Sequence, residues 1–110
     1  MVRMTGRIVH HQRLAWDCAR AFVTLAAAEH EYYWLQARLR ELLGPDFAAD
    51  LSDSRTRLLW TRRPDASPAE AGLWRAKVVD LLGERPELCL ALESLMSEAQ
   101  ARAAELSPVP

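Results

Sequence analysis

The sequence predicts an all-α fold: one long N-terminal helix and three shorter helices, packed as a bundle. Three observations predict it. No glycine or proline lies between Gly6 and Gly44, so no residue in that span forces a helix to end. Most other glycines and prolines sit where caps and turns are read, at Gly44-Pro45, Pro64, Ser67-Pro68, Gly83 and Pro86. No stretch shows the sustained β-branched alternation of a strand. At 110 residues the chain reads as one domain, 1–110, able to bury roughly 65% of its unfolded surface without metal or disulfide staples.

Residues 1–6 read as a loose arm. The first helix is predicted from about Arg7 to Leu43, with Glu29-His30 as the place where it would break. Unbroken, it would be ~55 Å long at 1.5 Å per residue. A polar stripe runs through Arg13, Asp17, Arg20, Thr24, Glu31, Arg38 and Glu41 at helical spacing, and Arg13–Asp17 and Asp17–Arg20 are placed to pair along it. Beside the stripe run two apolar seams. Ile8, Ala15, Cys18, Phe22, Leu25, Tyr32, Leu39 and Leu43 form one, interrupted by His11, Glu29 and Gln36. Val9, Trp16, Ala19, Val23, Ala26, Tyr33 and Ala37 form the other. Two adjacent seams make a face wider than a single helical neighbour covers.

The second helix is predicted from Pro45-Asp46, proline early and an acid in the first turn, to about Trp60. Its apolar spacing is Phe47, Leu51, Leu58 and Leu59, and Asp50 to Ser54 is its weak stretch. Arg62-Arg63-Pro64-Asp65 reads as a loop. Ser67-Pro68-Ala69-Glu70 is a capping box opening the third helix, which carries Leu73, Trp74, Val78, Leu81 and Leu82 and stops at Gly83. The fourth runs from Pro86-Glu87 to about Leu106, with a stripe of Leu88, Leu92, Leu95, Met96, Ala99 and Ala103. The short Gly83–Arg85 link predicts an antiparallel hairpin of these last two helices. Residues 107–110 read as a mobile tail.

Charge excludes some function classes. The formal net charge is −1, so nothing global favours nucleic acid or anionic lipid. The distribution is uneven: Arg3, Arg7, Arg13 and Arg20 face only Asp17 at the start, whereas Glu87, Glu93, Glu98 and Glu105 face only Arg102 at the end. No run is long and apolar enough to span a membrane. The apolar stretch Ala21–Ala28 follows a basic start, but Asp17 and Arg20 interrupt any signal-peptide core. Cys18 and Cys89 lack metal or redox spacing and read as buried thiols of a cytoplasmic protein.

No catalytic motif emerges: there is neither a glycine-rich phosphate loop nor a nucleophile elbow. His10 and His11 point about 100° apart on a helix and cannot serve one ion. Glu29-His30-Glu31 lacks the Glu-x-x-His spacing of bundle metal sites. Haem or a lipid-like ligand beside His30, Tyr33 and Trp34 is the minor reading; no cofactor or metal is predicted. Arg55, Arg57, Arg62 and Arg63 around Trp60 form the one basic patch. The would-be recognition helix, Pro86 to Glu93, is apolar and acidic, which suits no DNA groove. Tyr32 and Tyr33 are expected in the core, and Trp34 beneath the second or third helix, with a protein contact as its alternative.

From about Ala48 to Ala99, Asp50-Leu51, Leu58-Leu59, Trp74, Leu81-Leu82, Pro86-Glu87-Leu88, Leu92 and Leu95 make a pattern. It resembles the C-terminal halves of small Arg/Ala-rich helical proteins common in actinobacteria. The resemblance implies a helix hairpin and carries no activity or site residues. The functional expectation is a non-enzymatic interaction or assembly module that self-associates, as a homodimer or higher homo-oligomer, through the long helix. The expected interface is Ile8, Ala15, Cys18, Phe22, Leu25, Tyr32, Trp34 and Leu39. A DNA-linked regulator, antitoxin-like or a phage accessory factor, is the alternative.

Overall fold

The computed structural model describes residues 2–106, with side chains from His11 onward. Its elements are α1 (Val2–Ala26), α2 (Glu29–Leu43), α3 (Pro45–Trp60), α4 (Ala66–Glu84), a 3₁₀ turn (Pro86–Leu88) and α5 (Cys89–Leu106), with no strand among the described residues. The all-α expectation holds. The predicted loose arm is helical from Val2, and the tail lies outside the described residues.

The long helix is broken, beside the place marked for it. α1 ends at Ala26, and Ala28 is extended (φ −104°, ψ 123°) with no side-chain cap. The Ala28 N–H donates to Leu25 O at 3.1 Å, and the Tyr32 N–H restarts the helix on Ala28 O at 2.8 Å. Glu29 and Glu31 then occupy the first turn of α2, where acids offset the positive helix end. The physical reason for the break is burial. A continuous rod would outrun a molecule whose longest extent is 45 Å; broken, the chain brings Tyr32, Leu35 and Leu39 onto the core that α1 begins.

α2 and α3 share one residue as a corner. Gly44 has φ 103° and ψ 175°, a combination almost confined to glycine, and its N–H donates to Arg40 O and Leu39 O. Pro45 follows at the first helical position. The expected weak stretch Asp50–Ser54 stays helical because α4 braces it. Lys77 Nζ lies 2.7 Å from Asp50, Trp74 Nε1 donates to Ser54 Oγ at 2.8 Å, and Arg57 Nε donates to Glu70 at 2.7 Å. These pairs set α3 and α4 antiparallel.

The capping box does not form. α4 begins one residue earlier than Ser67, with Asp65 at the cap position and no side-chain cap bond. Glu70 instead turns inward: it is 5% exposed and accepts from Ser54 Oγ at 2.8 Å and from both Arg57 Nε and Nη2. Two good partners in a shielded site outweigh one exposed backbone N–H. Nor does Gly83 stop the helix, which runs on to Glu84.

α1 is the hub. Leu14, Ala15, Cys18, Ala19, Phe22, Leu25 and Ala26 are buried along it. Trp74 of α4 is fully buried against Phe22, edge to face, with ring centroids 5.5 Å apart; such pairs add about 0.5–1.5 kcal/mol beyond burial. α2, α3, α4 and α5 all pack on α1, and neighbours around it meet as α4–α3, α3–α2 and α2–α5. Arg102–Glu31 and Arg38–Glu98 tie α2 to α5. The expected α4–α5 hairpin is not made, because each takes its own side of α1 and the two scarcely touch. The ring of helices is therefore open between α4 and α5.

Candidate functional site

Most of the expected interface residues lie inside the chain. Ala15, Cys18, Phe22, Leu25 and Leu39 are wholly buried and Tyr32 nearly so, covered by the other helices. The side chain of Ile8 lies outside those described. Trp34 is half-buried, covered by Arg102 of α5, whose guanidinium carbon is 4.1 Å from the ring, rather than by the second or third helix. Tyr33, expected in the core, is 60% exposed, since the break rotates α2 and leaves it on the outer face.

The open sector of the ring exposes the polar stripe of α1, and a groove flanks it on each side. Toward α5, Asp17, Arg20, Ala21 and Thr24 face Gln100, Ala103 and Ala104. Toward α4, a larger groove of about 580 Å³ runs from Trp16 to Ala27 against Ser67, Pro68 and Ala71. Arg20 and Thr24 stand between the two as a ridge.

Trp16 is the centre of this face. Assigned by spacing to a buried seam, it is instead 39% exposed, because the α4–α5 gap leaves no helix over it. Arg20 and Arg75 both lean on its ring, at 5.4 Å and 5.1 Å from the centroid. Such cation–π contacts contribute about 0.5–1 kcal/mol each at exposed sites. The expected Asp17–Arg20 and Arg13–Asp17 pairs are not made among the described residues; Arg20 is drawn to the indole instead. Arg75 Nε is shielded from solvent and has no hydrogen-bond acceptor, a state that costs a buried donor roughly 1–3 kcal/mol. The part played by Arg75 was not legible in sequence, since nothing links it to Trp16 before α4 is laid antiparallel on α1. A signal for Trp16 did exist: Arg13 and Arg20 flank it at helical spacing, marking the edge of the polar stripe.

The basic patch around Trp60 is largely neutralised. Arg57 is held by Glu70, Arg63 meets Asp65 through Nε and Nη2, and Arg55 donates to Ala26 O at 2.8 Å while lying over Tyr32. Trp60 itself is 81% exposed. The Arg57 guanidinium, hydrogen-bonded to Glu70, lowers the Glu70 carboxyl below its ordinary range against the opposing cost of burial, and the same bond raises Arg57. This cluster joins α3 to α4 and borders a small open pocket of about 160 Å³.

The thiols differ. Cys18 is fully buried and, by desolvation first and the Asp17 charge second, is pushed up to about 12. Cys89 is half-buried, its Sγ 3.7 Å from Glu93 Oε1. Both are free. His30 is exposed, and among the described residues no cluster of His, Cys, Asp and Glu is arranged to hold a metal ion. No described helix is long and apolar enough to cross a membrane. Comparison with family models, with curated proteins and with solved structures finds no match.

Proposed function

We propose that this protein is a non-enzymatic interaction module that binds another protein through the open face of α1. The observation that carries this reading is the gap between α4 and α5. There a partly exposed tryptophan, two arginines and a shallow apolar groove lie together on the hub helix. Exposed aromatics beside arginine are the usual anchors of protein interfaces.

Self-association through the first seam has less surface to use, since Ala15, Cys18, Phe22, Leu25, Tyr32 and Leu39 are buried within the chain, while Trp16 and Tyr33 of the second seam stay exposed. Among the described residues of α1, the exposed Trp16, Arg20 and Thr24 gather on one face, and this is the surface the helix offers a partner. The DNA-linked reading ranks behind. Leu88, Leu92 and Leu95 of the would-be recognition helix are buried, and three arginines of the basic patch are engaged within the chain.

The test is site-specific photo-crosslinking in the native host. A benzoylphenylalanine at exposed Thr24 should give a discrete protein adduct, and the same group at exposed Asp53 should not. Equal adducts from both positions, or none from Thr24, would refute the assignment.

A further inference from the structure

We infer that the groove between α1 and α4 receives an acidic amphipathic helix of a partner protein, an inference that rests on the Trp16 face being the docking surface. The carboxylates of that helix would meet Arg20 and Arg75, and its apolar side chains would lie on Val23, Pro68 and Ala71.

Shape argues for a helix. α1 rises ~15 Å from Trp16 to its end at Ala26, nearly three turns, and the groove follows it along that length. α2 to α5 already occupy the other sectors around α1, so a further helix completes the ring. Ala27, Ser67 and Ala71 on the groove walls are small, which permits the usual axial approach of 8–10 Å. The groove is a trough open along one side, whereas small-molecule sites enclose most of their ligand.

Charge argues for acid. Arg20 lines the trough and Arg75 lies over Trp16 at its end, and neither forms an ion pair among the described residues. Asp17 faces the α5 side and pairs with neither. A carboxylate from an incoming helix supplies the exposed Arg20 with a charged acceptor. Charge also argues against a second copy: a two-fold contact through this face would set Arg20 and Arg75 against their own counterparts.

The test is a displayed library of amphipathic peptides about four turns long, with an apolar stripe of Leu and Met and flanking positions drawn from Glu, Lys and Gln. Selection on the intact protein should enrich Glu at the flanks. Synthetic winners should bind at least about tenfold more tightly than their Lys counterparts, a difference that shrinks at high salt. The double variant Arg20→Glu/Arg75→Glu, shown to be folded by circular dichroism, should reverse the preference. No enrichment, enrichment of Lys, or a preference unmoved by the double variant would overturn the inference. If decanoate or another small carboxylate binds at Trp16 while no peptide does, the groove is a ligand trough and the inference also fails. The Thr24 crosslink separates the two claims. A discrete Thr24 adduct without Glu enrichment leaves the docking face standing and removes the acidic helix. Absence of both removes the face as well.

Discussion

Glu70 shows how one side chain can serve a different purpose from the one its sequence context suggests. Its carboxylate joins Arg57, Ser54 and, through Ser54, the indole N–H of Trp74. Because the folded-state carboxyl is lowered by Arg57, its contribution to stability is present above its ordinary value of 4.5 and is lost as pH falls through the lowered value. Glu70→Gln keeps the shape and removes the charge. It is expected to cost about 1–3 kcal/mol at neutral pH, with the gap to wild type closing as pH drops below 4.5. Denaturant unfolding across pH measures this, and a gap independent of pH would remove Arg57 as the cause. Cys18 and Cys89 offer a second measurement. With its thiol pushed up to about 12 and wholly buried, Cys18 is expected to react with a disulfide reagent only as fast as the protein unfolds, whereas Cys89 reacts first. Rapid labelling of both thiols in native protein would show that α1 is not packed as described.

At the scale of elements, α3, the 62–65 loop and the span of the last helix were legible, because proline, first-turn acids and apolar period agree there. The break at Ala27-Ala28 carries no glycine, proline or cap residue, and only Glu29 and Glu31 hint at a new helix start. Its cause is packing between residues far apart in sequence. The failed capping box and the missing α4–α5 hairpin have the same origin. Local pattern specifies a helix end or a short link, but not whether a distant Arg57 or the sides of α1 offer more. Of the candidate site, Trp16 and Arg20 were in view as residues, while their exposure was not, since it follows from a gap between two helices. Glycine gives a sign test of these elements. Gly44 sits at φ 103° with open space around a would-be Cβ, so Gly44→Ala costs only backbone strain, about 1–3 kcal/mol. Gly72 lies inside α4, also with open space, so Gly72→Ala is expected to stabilise by about 0.5–1 kcal/mol. Thermal melts of the pair should move in opposite directions; movement in the same direction would contradict the corner at Gly44 or the helix through Gly72.

At the scale of the whole molecule, the decisive fact is that α1 is surrounded rather than flanked. A long apolar rod argued for a dimer, on the ground that one chain could not cover two seams. Breaking the rod changes that argument, since α2 folds back and, with α3, α4 and α5, covers most of the described part of both, leaving Trp16 and Tyr33 exposed. Among the described residues the exposed large apolar side chains, Trp16, Tyr33, Leu59, Trp60, Leu73, Leu90 and Leu106, are spread over all five helices, and Trp16 adjoins a groove. Scattered residues of this kind do not make the broad patch a stable homodimer needs. Light scattering of the isolated chain at tens of micromolar is therefore expected to give a monomer. Two substitutions on α1 extend the test. Leu25 is wholly buried, so Leu25→Asp places an unpaired charge in the core and is expected to unfold the protein. Trp16→Ala removes a partly exposed ring that is not in the core, and should leave helix content unchanged while abolishing the Thr24 adduct. A dimer that Leu25→Asp converts to folded monomers would restore the seam as an interface and remove α1 from the centre of the fold.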